Sequence, residues 1–277
     1  MMRKMLVMLL LLGLICTFII FFSRQSPETI SVGSFEAFAT IDVDIVEFKT
    51  TIIDSPDNKI HVKLQGHKIN KDMLKIKEEN NTFFIKEKQE KKKWNDYISL
   101  SSKPSITIQL PKTYSKNLII SSVDGEFDIK ELMLEKVLLD ISSGAATLKN
   151  VSILHAELST KDGNISVDKS TIDNLFISSN AGDVLLKEGA GSSYKIETID
   201  GQIKMTDAIE QENVSIKSNS GDIRIQYKKA PVSLLLKTET TGDTKIKLPN
   251  FKYETNLIGK GANTLSVESK NGSIFIE

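Results

Sequence analysis

Residues 158–186 read LSTKDGNISVDKSTIDNLFISSNAGDVLL, and within this stretch two glycines stand 19 positions apart. The same interval recurs on both sides of the stretch, with a slip of one residue at the sixth glycine, a slip of two at the seventh, and an eighth glycine out of phase. Self-similarity at such a fixed period is typical of a repeat architecture. We expect these glycines to form a turn column, where a positive φ or close stacking is needed. The column consists of Gly125, Gly144, Gly163, Gly182, Gly201, Gly221, Gly242 and Gly272.

The apolar residues keep the phase of the glycines. They come in pairs two residues apart, which is the period of a β-strand, and successive pairs are three residues apart, as from Ile153 to Ala156. We interpret the spacing of three as a corner. The sequence therefore predicts an all-β fold, a parallel β-solenoid of about 19 residues per coil with three short strands per coil, in which equivalent residues stack about 4.8 Å apart. Ile165, Val184 and Ile203 should then lie above one another.

The region before the ladder carries strand-like segments of another kind. Residues 38–49 (FATIDVDIVEFK), 59–64 (KIHVKL) and 82–86 (TFFIK) are separated by turn signals such as DSPDN at 54–58. We predict an N-terminal antiparallel β cap, because an uncapped first coil would expose unpaired strand edges. The predicted organisation is an anchor at 1–25, a capping region at 26–118 and a repeat region at 119–277.

The N-terminal segment is strongly apolar. Residues 5–22 (MLVMLLLLGLICTFIIFF) carry no charge, and as a helix they would span about 27 Å, close to the hydrocarbon core of a bilayer. Arg3 and Lys4 before the run favour a cytoplasmic N-terminus. We predict an N-terminal transmembrane helix, a single-pass protein of the cell membrane and an extracytoplasmic C-terminal domain. A cleaved signal peptide and a lipid-modified cysteine at Cys16 are the alternatives.

The composition excludes several functional classes. The 36 basic residues balance 36 acidic ones, which argues against a nucleic-acid partner. One cysteine and three scattered histidines leave no set of residues for a zinc site or a nucleophilic triad. We therefore expect no cofactor, no metal and no enzymatic activity.

Four features of the sequence together resemble a known family. They are the strand that ends at Leu110-Pro111-Lys112, the segment LIISS at 118–122, the repeated unit [IL]-x-[ST]-x-x-G-[DN]-[IV]-x-[IL], and the closing SKNGSIFI at 269–276. The chain resembles the bacterial "putative adhesin" domain of unknown function over residues 36–277, and with its apolar N-terminus it looks like the LiaG-type membrane-anchored members. The resemblance implies an extracytoplasmic β-solenoid-like domain of the cell envelope, without a catalytic set to carry over.

Two groups of side chains are candidates for binding. Aspartates flank the glycine column, for example Asp162, Asp183 and Asp200. We interpret them as turn residues, with a calcium site or a catalytic carboxylate as the alternatives.

The second group is a basic and aromatic segment formed by Lys91, Lys92, Lys93 and Trp94. We interpret it either as a solvated hairpin tip or as a contact with lipid headgroups or wall polymer.

These observations favour a membrane-anchored surface module that binds or organises components of the cell envelope, or assists an envelope-stress response. The expected partners are the membrane and either cell-wall polymer, anionic lipid or another envelope protein. A glycan-active β-helix enzyme and a purely structural spacer are the alternatives, and an acidic cleft along one face would favour the enzyme.

Overall fold

Two twelve-stranded β-sheets face each other in a computed structural model of the chain, which describes Gly13 and residues 27–89, 103–111, 114 and 116–277. The chain alternates between the sheets, and the apolar residues of both inner faces form one continuous buried core. Most strands show an alternation of buried and more exposed residues, which places one face of a sheet on a core and the other in solvent. The fold is all-β, as the sequence predicts.

Strand numbers follow the order of the chain, whereas each sheet is described from one edge to the other. Sheet 1 contains β1 (Glu28–Phe35), β4 (Ile60–Gly66), β7 (Ser105–Leu110), β3 (Lys49–Asp54), β9 (Glu126–Lys130), β11 (Ala145–Lys149), β13 (Asn164–Asp168), β15 (Val184–Lys187), β17 (Ile203–Ala208), β19 (Ile223–Tyr227), β24 (Ile274–Ile276) and β21 (Thr244–Ile246). Sheet 2 contains β22 (Leu257–Ile258), β20 (Leu234–Thr240), β23 (Asn263–Ser269), β18 (Asn213–Ser218), β16 (Ser193–Thr198), β14 (Thr171–Ser179), β12 (Ser152–Thr160), β10 (Met133–Ile141), β8 (Asn117–Ser122), β2 (Thr40–Ile45), β6 (Thr82–Glu87) and β5 (Leu74–Glu79). A short 3-10 turn spans Lys71–Met73.

The 19-residue period sets the register of the central strands. Ile165 in β13 pairs with Val184 in β15, which pairs with Ile203 in β17. All three side chains are 1% exposed, so each inward residue packs on its counterparts in the coils above and below. A single coil could not bury these side chains alone, and the core therefore exists only in the stack.

The predicted three-stranded parallel solenoid is wrong, because each coil contributes two strands and the two sheets are mixed. The spacing of three from Ile153 to Ala156 is not a corner: Leu154 and His155 both face outward within the continuous strand β12. The parallel pairing of β10 with β12 passes over this position and continues on both sides. Pairing is antiparallel at the ends of the stack, between β1, β4 and β7, between β5 and β6, and between β20 and β22.

The segments of the predicted capping region join both sheets of the stack. Strand β2 pairs in parallel with β8, and β3 pairs in parallel with β9. Residues 40–54 therefore form a coil of their own. Strands β6 and β7 pair with it in parallel, and β5, β4 and β1 lie further out in antiparallel pairing.

The turn opposite the glycine column contains a residue with positive φ in each of five successive coils. These residues occupy the position six after the glycine, and their φ angles lie between 49° and 57°. Only two of the five are of the types that tolerate this conformation well. The residues are Glu131, Asn150, Lys169, Glu188 and Asp207.

The last coil of the chain does not lie at the end of the stack. Strand β23 pairs with both β18 and β20, and β24 pairs with both β19 and β21. The C-terminal segment therefore inserts between the coil before it and the coil that contains β20 and β21. Gly272 accordingly stacks on Gly221, and Gly242 stacks on Gly272, which explains the phase of the eighth glycine.

The carboxylate of Glu210 links the segments of this rearranged end through hydrogen bonds. It accepts hydrogen bonds from the backbone N–H of Val232 at 2.7 Å, from the backbone N–H of Ser233 at 2.9 Å and from the side-chain amide of Asn263 at 3.0 Å. Partial burial raises the pKa of this carboxyl, but the three hydrogen bonds outweigh burial and hold the pKa below its ordinary value.

The prediction that the fold includes an N-terminal transmembrane helix is wrong for the described residues. In the part of the chain that the structure describes, no helix is long and apolar enough to cross a membrane. The apolar run at 5–22 lies outside the described residues, except for Gly13. All described strands and the whole described core fall within residues 26–277, so this fragment carries the complete described fold.

Candidate binding surfaces

The glycine column forms one edge of the stack, and close approach explains it. A Cβ atom added to Gly182 would overlap the carbonyl oxygen of Gly163, and one added to Gly201 would overlap that of Gly182. At Gly242, at the end of the column, the added atom would lie 2.8 Å from the carbonyl oxygen of Gly272. Only Gly144 in this column has a positive φ, at 104°. The column is therefore a structural edge whose coils approach too closely for a side chain.

Buried hydroxyls and turn aspartates complete this edge. The hydroxyl of Ser269 accepts a hydrogen bond from the N–H of Gly272 at 3.0 Å and donates one to the carbonyl of Gly221 at 3.1 Å. The carboxylate of Asp183 accepts the N–H of Gln202 at 2.9 Å, and that of Asp222 accepts the N–H of Ser273 at 2.8 Å. These carboxylates bond to the backbone of the next coil. Within the described residues no three His, Cys, Asp or Glu side chains are grouped as a metal site would require.

The predicted contact segment formed by Lys91, Lys92, Lys93 and Trp94 lies outside the described residues. The structure therefore places none of these four side chains, and their role stays a prediction.

A shallow groove runs along the outer face of sheet 2, beside the position where β10, β12 and β14 each carry two consecutive outward residues. Two rows of outward residues line it, and its volume is about 390 Å³. Because neighbouring strands are about 4.8 Å apart, a row over four strands extends about 14 Å along the stack. One row comes from the second of these outward positions and from the residue of β16 that pairs with it, and the next row lies two residues further on. The rows are Lys136, His155, Asn174 and Ser193, and then Glu157, Phe176 and Lys195.

The groove combines an aromatic ring with polar groups that have no partner. The ammonium of Lys195 lies 4.9 Å from the centre of the half-buried Phe176 ring and also pairs with Glu197 at 3.0 Å. The side chains of Lys136, His155 and Glu157 make no hydrogen bond or ion pair with any described residue. Donors, an acceptor and an apolar ring are therefore available to one ligand, the usual chemistry of a small-molecule or polymer site.

A second patch occupies the outer face of sheet 1 near its C-terminal end. The ring of Phe275 points outward and is surrounded by three cations: the guanidinium of Arg224 at 4.9 Å from the ring centre, the ammonium of Lys247 at 5.5 Å and that of Lys245 at 5.8 Å. We call these four residues the Phe275 patch. Its strands β19, β24 and β21 become neighbours only through the insertion of the last coil.

The comparison with protein families identifies the domain. The model of the family described as Toastrack DUF4097 matches residues 38–277, which is most of the chain. The chain belongs to the Toastrack DUF4097 family. No curated protein matches it.

Solved structures of the same fold cover nearly the whole Toastrack domain. A "putative lipid binding protein" from Parabacteroides distasonis is 16% identical with a TM-score of 0.58, and covers 92% of this chain and 98% of its own. A "putative adhesin" from Parabacteroides merdae is 17% identical with a TM-score of 0.55, and covers 92% of this chain and 97% of its own. At these identities the likeness shows the fold alone. It supports the predicted resemblance at the level of the Toastrack domain and of neighbours that carry the adhesin name.

Sequence reasoning missed both outer-face sites of this Toastrack domain, although a signal for each was present. Phe176 stands between Leu175 and Ile177, and Phe275 stands between Ile274 and Ile276. Both phenylalanines therefore occupy positions that strand alternation directs outward, where a ring is accessible to cations of neighbouring strands. The cations around Phe275 could not be assigned to it, because they come from strands 30 and 51 residues earlier that pair with β24 only in the folded chain.

Proposed function

We propose that this Toastrack domain is a non-catalytic binding module that holds a linear glycan of the cell envelope in the groove of sheet 2. The observation that carries the proposal is the groove itself, in which Phe176 and unpartnered polar side chains line up along the stack. The ladder of equivalent positions repeats every 4.8 Å or so along this axis, which suits a polymer that runs across the strands.

The chemistry of the groove suits a saccharide. A sugar ring presents an apolar C–H face and several hydroxyls, and the hydroxyls both donate and accept hydrogen bonds. The ring of Phe176 offers the apolar platform, while Lys136 donates and Glu157 accepts. Charges of both signs lie in the groove, so a neutral chain fits it better than a strongly charged one.

We infer binding without cleavage from the carboxylates of the groove. Hydrolysis of a glycosidic bond needs, in most families, two carboxyl groups on either side of the bond. Among the described residues that line the groove, Glu157 is the one acid. This favours a binding module over the glycan-active enzyme, which an acidic cleft would have favoured. A purely structural spacer has no need of an outward Phe176 beside unpartnered polar groups.

The finer predictions from the sequence also belong to this proposal. A position outside the cytoplasm, a relationship to the LiaG-type members and an accessory role in an envelope-stress response stay predictions. Protease treatment of intact cells, with the domain followed by antibody, tests the position: digestion without lysis supports it, and protection contradicts it.

The groove is tested by co-sedimentation of the 26–277 fragment with purified insoluble cell-wall material, and by calorimetry with a soluble N-acetylglucosamine tetramer. We expect the double variant Phe176→Ala/Lys136→Ala to lose binding by on the order of tenfold or more, because an aromatic platform and a hydrogen bond are removed together. The matched control Leu185→Ala/Lys187→Ala removes an apolar and a basic side chain from the outer face of sheet 1 and should bind as the wild type does. Equal binding by both variants, or no binding by the wild type, would contradict the proposal.

A further inference from the structure

The Phe275 patch places three positive charges within 6 Å of one outward ring. Arg224, Lys245 and Lys247 are each exposed, and none forms an ion pair with any described residue. Elsewhere on the stack, lysines commonly form ion pairs with acidic residues: Lys228 pairs with Glu188 at 3.1 Å, and Lys217 pairs with Glu268 at 2.7 Å. The charges of the patch are therefore available to a partner outside the chain.

The acidic residues nearest to the patch along its strands form no ion pair with its cations. Asp222 and Asp243 lie two residues before Arg224 and Lys245, and Glu277 lies two residues after Phe275. The carboxylate of Asp222 is occupied by the N–H of Ser273. Neither Asp243 nor Glu277 pairs with a cation among the residues that the structure describes.

An exposed aromatic side chain borders the patch. The hydroxyl of Tyr253 donates a hydrogen bond at 2.9 Å to the carbonyl of Ile246, the residue between Lys245 and Lys247. The Tyr253 side chain is 64% exposed, and its ring meets that of Phe251 edge-on at 4.9 Å. An aromatic ring that is packed on one side and solvent-exposed on the other, next to cations on flexible stems, is typical of residues that lie at a membrane interface.

We propose that the Phe275 patch is a docking surface for an anionic lipid bilayer. Arg224, Lys245 and Lys247 contact the lipid phosphates, and Tyr253 enters the headgroup layer. Charge complementarity supplies the attraction, since basic residues near an anionic membrane surface are drawn to it. The exposed Tyr253 favours a bilayer over a soluble anion, because a free phosphate offers nothing for the ring to enter. This surface lies on the opposite sheet from the groove, so the two sites are independent.

Vesicle co-sedimentation of the 26–277 fragment tests the proposal. The wild type should bind vesicles that contain phosphatidylglycerol, bind phosphatidylcholine vesicles much more weakly, and lose binding as the salt concentration rises. Arg224→Gln/Lys245→Gln should weaken binding by on the order of tenfold or more. Tyr253→Ser should weaken it at every salt concentration, including those that screen the charges.

The control Lys63→Gln/Lys75→Gln removes two exposed charges from β4 and β5, at the other end of the stack. It should bind within about twofold of the wild type, since a charge more than a Debye length away adds little. Circular dichroism and the thermal midpoint of each variant establish that it is folded. Equal losses in patch and control variants would mean that only net charge matters and would overturn the proposal. Full competition by millimolar inorganic phosphate would also overturn it, because the patch would then be a site for a free anion. Loss of binding in Lys91→Gln/Lys92→Gln/Lys93→Gln alone would assign the contact to that segment instead.

Discussion

The two edges of the coil stack are both turns, but different physical demands shape them. At the glycine edge the demand is space: the carbonyl of one coil occupies the place where the next coil would carry a Cβ. At the opposite edge the demand is a backbone conformation, a positive φ, and five side chains of four different types meet it. A steric demand selects a single residue type, whereas a conformational cost of about 1–2 kcal/mol per residue can be absorbed by the rest of the coil. The first edge is therefore visible in the sequence and the second is not.

The largest expected effect comes from adding a methyl group at the centre of the glycine edge. In Gly182→Ala the new Cβ would overlap the carbonyl oxygen of Gly163, so two coils must separate, and we expect a loss of about 4 kcal/mol or more in the free energy of unfolding. Gly242→Ala is the matched variant at the end of the column, where the added atom would lie 2.8 Å from the carbonyl oxygen of Gly272, a milder overlap that the outer coil can relieve by shifting. Gly242→Ala should lower the free energy of unfolding much less than Gly182→Ala does. Urea unfolding of both variants measures the difference, and similar losses would show that close stacking is not the reason for the column.

A smaller effect is expected from low pH at the opposite edge, where Glu210 accepts hydrogen bonds from the last coils. The folded pKa of this carboxyl lies below its ordinary value of 4.5, so its stabilisation is fully present above that pH and is lost as the pH falls through the folded pKa. We expect Glu210→Gln to cost about 1 kcal/mol at pH 7, a figure discounted for partial exposure, and the gap from the wild type to close as the pH falls. Unfolding at a series of pH values measures this gap. The neighbouring variant Glu212→Gln should show no such convergence, and a constant gap for Glu210→Gln would contradict the assignment.

The smallest expected effect is a gain in stability at the left-handed turn. Glu131 is exposed, has a φ of 57° and makes no ion pair with a described residue. Asparagine tolerates this conformation better, so Glu131→Asn should raise the free energy of unfolding by about 0.5 kcal/mol. The midpoint of urea unfolding measures the shift. Glu135→Asn, at an exposed position with an ordinary φ in the following strand β10, is the control and should be neutral or slightly destabilising.

The contrast between the edges also explains how much of the fold the sequence could predict. The stacking of Ile165, Val184 and Ile203 was predictable, because every coil repeats the same apolar positions in phase with the same glycine. The number of strands per coil was not, because a spacing of three residues fits either a corner or two outward residues in one strand. The position of the last coil was not predictable either, since Gly272 could stack on Gly221 or on Gly242 and in the structure contacts both.

The candidate sites were harder to predict than the fold. Strand alternation alone directs Phe176 and Phe275 outward, but a binding surface is made by residues on neighbouring strands. For Phe176 those neighbours follow from the period, since Lys195 stands 19 residues later. For Phe275 they depend on the rearranged order of β19, β24 and β21, which no local pattern encodes.

The insertion of β23 and β24 has a consequence for synthesis of the protein. Strands β20 and β21 leave the ribosome first, yet in the finished molecule they reach the rest of both sheets only through strands that are translated last. Strands β20 and β21 can therefore join the rest of both sheets only after β23 and β24 have been synthesised. A premature stop after residue 262 would not trim the molecule at its end, as in most repeat proteins. It would remove the two strands that connect β20 and β21 to the rest of the sheets, and β20 would keep only its antiparallel partner β22.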